Sequence, residues 1–239
     1  MQNYKTRKEL KYDTKALLKG RWKDAILLNI IPTIISVLIT LVFAALVIAL
    51  VNYSDAGSNN WVTDSMMSDD GTGNGNGTSN IGGGILTTLF TVGISFTFLD
   101  WFRNPNMEIQ PIKMGLQVFT KKYFLRVLLI YIITTIFTTL WSLLFIIPGI
   151  IKSYAYSQAY LIYKDRSTLS PNEKISSLDC ITESKNLMKG NKWRLFLLDL
   201  SFLGWGILSI LSLGIGLLWL LPYQNATKVA FYEDLIQSN

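Results

Sequence analysis

Residues 17–31 read LLKGRWKDAILLNII, and residues 187–200 read LMKGNKWRLFLLDL. Each copy has Leu-x-Lys-Gly, then a basic and aromatic pair, then an apolar run. What precedes each copy is also alike. Thr6-Arg7-Lys8-Glu9 fits a capping box, with Thr6 as N-cap and Glu9 at N3, and the helix it opens would close at Gly20. Downstream, Ser170 with Pro171 at N1 and Glu173 at N3 would open a second helix, closing at Gly190. Leu10, Leu17 and Leu18 can share a face of the first helix, and Ile175, Leu178, Ile181 and Leu187 a face of the second. The spacing therefore predicts an amphipathic helix, a glycine turn and a long apolar helix, written twice. Trp22 and Trp193 would anchor the two junctions at headgroup level.

The apolar runs set the class. Ala25–Tyr53, Val127–Ile151 and Leu200–Thr227 contain no Asp, Glu, Lys or Arg. Each exceeds the roughly 20 apolar residues that cross a bilayer core. Half of the 239 residues are hydrophobic and 16% are charged, against about 25% charged in soluble domains. The first run is too long for a signal-peptide core and follows 24 mostly polar residues, so it reads as a retained span. The expectation is an all-α integral membrane protein.

Charge gives the orientation. No Lys or Arg lies between Asp24 and Phe102, a stretch whose polar loop carries Asp55, Asp64, Asp69 and Asp70. Residues 1–24 hold eight basic side chains against three acidic, residues 100–126 five against two, and residues 164–194 seven against four. The positive-inside rule puts those three segments and both termini in the cytoplasm and the Gly/Asn-rich loop, residues 52–83, outside as a flexible segment. The basic segments would sit against anionic headgroups of the plasma membrane. The lysines are scattered along helix ends, which excludes a nucleic-acid face.

A third, weaker copy lies between the other two. MGLQVFTKKYFLRVLLIYII, residues 114–133, sets Tyr123 where Trp193 stands later. The unit ends echo as well: Phe98-Leu99-Asp100, Tyr163-Lys164-Asp165 and Tyr232-Glu233-Asp234. The chain thus reads as one membrane domain, 1–239, of three repeated units. Each unit is an interfacial amphipathic helix followed by a hairpin of two spans, giving six transmembrane helices in all. The first comprises the cytoplasmic helix 1–24 and the hairpin 25–103, the second is 104–166, and the third is 167–239. Outer turns are predicted at Pro148-Gly149 and near Gly214–Gly216.

The stretches KTRKELK…ALLKGRW, IPGIIKSYAYSQAYLIYKD, ESKNLMKGNKWRLFLLDLSFLGWGIL and GIGLLWLLPYQNATKVAFYEDL resemble an uncharacterised bacterial integral-membrane family, number 975 among the domains of unknown function. That family is similar in general build to the membrane domain of some glycerophosphodiester phosphodiesterases. The resemblance implies a bacterial multi-pass membrane protein and carries no catalytic residues across.

Chemistry-bearing patterns are scarce. The chain has no histidine and one cysteine, Cys180. It lacks Cys-x-x-Cys, a Walker A loop and Gly-x-Ser-x-Gly. No catalytic, cofactor-binding or metal site is predicted. Ionisable groups within spans are costly and mark function, and Asp199 and Lys228 fall at matching depths on the last two spans. Asn29 matches Asp199 when the two Lys-Gly dipeptides are aligned. These three are the candidate polar site; Trp22, Tyr123 and Trp193 are the candidate interface anchors. Tyr154, Tyr156, Gln158, Tyr160 and Tyr163 read as packing, as do Thr87, Thr88, Thr91 and Ser95. Two functions stay open. One is non-enzymatic binding in the envelope, of lipid or of a protein or peptide partner, giving resistance to membrane-active agents. The other is a small transporter or channel using Asp199 and Lys228.

Overall fold

The computed structural model describes residues 4–54, 77–144, 146–170 and 175–238. Among them all regular structure is helical: α1 (Arg7–Leu18), α2 (Trp22–Ser54), α3 (Gly77–Arg103), α4 (Pro111–Gly115), a 3₁₀ turn (Gln117–Phe119), α5 (Phe124–Leu144), α6 (Ile146–Tyr156), α7 (Ala159–Leu169), α8 (Ser177–Leu187), α9 (Lys192–Leu211) and α10 (Leu217–Gln237).

The repeated phrase has one local geometry. The capping box of α1 is formed: the Thr6 amide donates to Glu9 Oε2 at 2.6 Å, and the Glu9 amide donates to Thr6 Oγ1 at 3.4 Å. Gly20 and Gly190 adopt φ of +81° and +84°. A side chain there costs about 1–2 kcal/mol, so the dipeptide Lys-Gly fixes both turns. The downstream opening differs from expectation. Pro171 and Glu173 lie outside the described residues, Ser170 caps the end of α7, and α8 starts at Ser177. The predicted loop 52–83 is also shorter than expected, since α2 continues to Ser54 and α3 begins at Gly77; the remainder lies outside the described residues.

The second unit departs further. In place of an amphipathic helix it has the five residues of α4 and the 3₁₀ turn. This segment is wedged between α2 and α3. A Cβ on Gly93 would fall within 2.2 Å of the Gly115 carbonyl oxygen, and one on Gly115 within 3.0 Å of Pro32. A full amphipathic helix has no room in that crossing.

Six long apolar helices are not found. Three of the described helices are long and apolar enough to cross a membrane by length and composition: Ile85–Arg103, Phe124–Leu143 and Lys192–Leu211. The expected fourth span is interrupted after Tyr156, leaving α6 and α7 at 11 residues each, about 16 Å apiece. The sixth, α10, contains Lys228, Glu233 and Asp234 as well as Pro222. The first, α2, is uncharged from Ala25 onward and 33 residues long, about 50 Å.

The third hairpin turns where glycine puts it. Leu213 and Gly214 take φ of 55° and 84° between α9 and α10. Before the predicted second turn α5 runs to Leu144 and α6 starts at Ile146, with the residue between outside the described residues, so Pro148 and Gly149 lie in the first turn of α6, where proline is tolerated. Both hairpins close on a serine seven residues before a glycine. A Cβ on Gly149 would lie 2.9 Å from the Ser142 Cα, and one on Gly216 would lie 2.9 Å from the Ser209 Cα.

Two apolar clusters hold the bundle. The larger gathers Phe96, Phe98, Leu99 and Trp101 of α3 with Leu28, Val127, Ile130 and Tyr232. The smaller seats Leu10 of α1 against Leu195, Leu198, Phe202, Phe231 and Leu235. The Asn191 amide donates to the Tyr4 hydroxyl, Arg194 donates to the Lys5 carbonyl, and Lys11 Nζ donates to the Ser201 carbonyl at 3.4 Å. The Lys5 amide donates to Asp234 Oδ1 at 2.9 Å and the Tyr223 hydroxyl donates to the Lys11 carbonyl at 3.2 Å, so α1 runs antiparallel along α10, with side-chain contacts to α9. The third hairpin offers the apolar surface that covers Leu10.

Candidate functional site

A cavity of about 640 Å³ opens among α3, α6, α7, α9 and α10, within the range of small-molecule sites. Its lining is apolar over most of its area and carries a set of polar groups: a hydroxyl stripe on α3, serines and tyrosines at the α6–α7 break, and a charged pair on the last hairpin.

The stripe follows from spacing. Thr87, Thr91 and Ser95 recur every four residues and share one face of α3. Thr91 Oγ1 donates to the Thr87 carbonyl at 2.8 Å, and Ser95 Oγ donates to the Thr91 carbonyl at 2.9 Å. Ser153 does the same to Ile150 at 2.8 Å on the opposite wall. A hydroxyl whose proton is spent on its own helix presents oxygen lone pairs outward. These walls are therefore rich in acceptors.

The break between α6 and α7 is built rather than frayed. Ser157 Oγ donates to the Tyr154 carbonyl at 2.9 Å and accepts Gln158 Nε2 at 2.9 Å. From α8, Ser184 Oγ accepts the Gln158 amide at 3.2 Å and donates to the Ala155 carbonyl at 2.8 Å. Backbone groups freed by the interruption are thereby satisfied. Tyr154 is left half-buried at the wall, where its hydroxyl donates to Asp199 Oδ2 at 3.3 Å.

Lys228 Nζ lies 3.1 Å from Asp199 Oδ1. The contact is an ion pair without hydrogen-bond alignment, since Oδ1 accepts no hydrogen bond and is shielded from solvent. The two side chains keep 43% and 23% of their exposure, which leaves both reachable from the cavity. Asn29 does not join them. It donates to the Ala25 carbonyl and accepts Asn225 Nδ2 at 2.8 Å. Asn225 lines the cavity, so Asn29 stands one residue behind the wall.

The three anchor residues part company. Trp193 is 65% exposed and stacks on Phe196. Trp22 is partly buried, 6.4 Å from Tyr223. Tyr123 is core: its ring packs against Phe96 and Tyr163, and its hydroxyl accepts from Lys164 Nζ at 3.4 Å.

One turn beyond the cavity the echoing unit ends meet in a layer of charge. Arg103 grips Asp165 with two bonds, of 2.6 and 3.0 Å, and reaches Glu233 at 2.8 Å. The Tyr232 hydroxyl donates to Asp165 at 2.7 Å. Lys164 pairs with Asp100 at 3.2 Å, and Arg194 with Asp234 at 2.7 Å. On α7 and α10 these residues follow the cavity-lining Tyr160 and Lys228 by four to six positions, so cavity and layer share their walls.

Sequence reasoning isolated Asp199 and Lys228 but assigned the hydroxyl stripe, Tyr154 and Gln158 to packing. The recurrence of hydroxyls every four residues on one face was the available signal. Among the described residues no three His, Cys, Asp or Glu side chains come together as metal ligands.

The fold and site thus define a helical protein with three helices long and apolar enough to cross a membrane, and a cavity that carries hydroxyls and one charged pair. A family model described as "Protein of unknown function (DUF975)" matches residues 1–159 and 143–239. The chain belongs to that family. No curated protein and no solved structure matches.

Proposed function

We propose that this chain is a multi-pass protein of the cell membrane, with both ends cytoplasmic, that binds a small polar solute at the cavity around Asp199 and Lys228 and passes it across the bilayer without chemistry upon it. The observation that carries this reading is an apolar outer surface around a cavity that holds polar and charged side chains. Outward residues such as Leu140, Leu143, Leu203, Ile207 and Leu211 are 54–83% exposed, while hydroxyls and a charged pair line the interior. Exposed apolar surface of that kind suits lipid rather than water.

On this reading the six crossings are α2, α3, α5, the broken α6–α7, α9 and α10, in three hairpins. A discontinuous crossing is tolerated where it lines a water-filled cavity, and such breaks sit at the substrate sites of many transporters. Here the break at Ser157-Gln158 opens onto the cavity. The like seating of glycine on serine in the second and third hairpins supports the repeat. Basic segments at the Arg103 and Arg194 end lie against anionic headgroups. The alternative, envelope binding that confers resistance, drew partly on the acidic loop, much of which lies outside the described residues; the cavity favours solute binding.

Reconstitution into liposomes tests the proposal. Uptake of at least one labelled polar solute is expected, and Asp199→Asn should reduce it tenfold or more. No uptake across amino acids, sugars, polyamines and organic acids would remove the transport role.

A further inference from the structure

We infer that the ligand is a zwitterion, carrying one ammonium and one carboxylate or phosphate, and that it displaces the Asp199–Lys228 pair rather than adding to it. The inference rests on the solute-binding reading above.

Three observations lead here. The first is that the cavity holds one charge of each sign, 3.1 Å apart and both reachable. A ligand with a single charge must draw away one partner and strand the other in a site walled by protein. The partner left behind loses its counter-ion and gains nothing from such a ligand. A neutral ligand leaves the pair in place and makes no use of it. A zwitterion exchanges one ion pair for two, with no charge left over.

The second observation is the alignment of the pair. Asp199 Oδ1 accepts no hydrogen bond, and its partner oxygen has a long one from Tyr154 at 3.3 Å. Oδ1 has only the misaligned Lys228 ammonium at 3.1 Å, and an incoming ammonium with three N–H groups supplies an aligned donor. Lys228, released, turns its own donors to the ligand anion.

The third is the acceptor character of the walls. Thr91, Ser95 and Ser153 spend their protons on their own helices. Their oxygens suit the remaining N–H groups of an ammonium and offer little to a second anion. Two sources present this chemistry: a free amino acid, and the headgroup of a zwitterionic lipid.

Calorimetry on the full chain in nanodiscs of phosphatidylglycerol alone tests the assignment. The twenty amino acids and phosphoethanolamine are titrated. The best amino acid is then compared with its amide, which keeps only the ammonium, and with its hydroxy acid, which keeps only the carboxylate. The expected result is at least tenfold tighter binding of a zwitterion than of either analogue, on the wild-type protein and so independent of any variant's folding. Asp199→Asn and Lys228→Gln should each erase that preference. Tighter binding of phosphoethanolamine, with displacement by phosphatidylethanolamine, assigns the lipid source; tighter binding of an amino acid assigns the free one. An amide or hydroxy acid that binds as well as its parent overturns the inference, as does failure of every zwitterion. Sorbitol or a singly charged solute binding in an Asp199-dependent way would overturn the zwitterion while leaving the solute site standing; no binding by any of them would remove both.

Discussion

At the scale of the residue, the chain places its few interior charges where a partner is one helix away. Asp199 and Lys228 are partly exposed, so their pairing contributes modestly, about 1 kcal/mol or less. Asp199→Asn should therefore lower the thermal midpoint in detergent by only a few degrees while removing solute binding. Equal loss of folding and function would make the pair a tether. Cys180 behaves oppositely. It is fully buried, and burial lifts its thiol to about 11 from an ordinary 9.0. The thiol form is favoured in the folded state, so this contribution to stability is complete below about pH 9 and is lost as pH rises to about 11. The native chain should resist maleimide at pH 7.5 and label only after unfolding; rapid labelling of folded protein would contradict the burial.

At the scale of the element, the Lys-Gly turn and the capping box were legible because both depend on local chemistry. Gly20, Gly190, Thr6 and Glu9 act within a few residues of themselves. Gly190→Ala is expected to cost about 1–2 kcal/mol through the left-handed backbone alone, read as a fall in unfolding midpoint without change in binding. The docking of α1 was not legible. Its apolar face was visible in Leu10 and Leu18, but the surface that receives Leu10 lies almost 200 residues downstream, on α9 and α10. Leu10→Ala should destabilise by about 2–5 kcal/mol and expose the face of α9 and α10 that covers Leu10 to protease. The break after Tyr156 was hidden for a related reason. Nothing in the run SYAYSQAYLIY forbids a helix; the interruption is supported by Ser184 from a separate helix.

At the scale of the molecule, three echoing unit ends were seen in the sequence, yet their meeting could not be. Asp100, Asp165 and Asp234 each find a cation in another part of the chain. Arg103, from the first unit, joins the second through Asp165 and the third through Glu233. Arg103→Ala should loosen this layer and raise solute leak in liposomes, while Arg103→Lys, unable to grip a carboxylate with two parallel bonds, should restore it only in part. The cavity likewise emerges only when five helices converge, although each wall was written plainly: hydroxyls every fourth residue on α3, serines at a break, one acid and one base on a hairpin. The most direct test of its existence in a membrane is labelling of single cysteines by a water-soluble maleimide in intact vesicles. Thr91→Cys and Ser153→Cys face the cavity, and Ile207→Cys faces outward at 54% exposure. Labelling at the two cavity positions with none at Ile207→Cys is the predicted result; the reverse pattern would place lipid where this account places water.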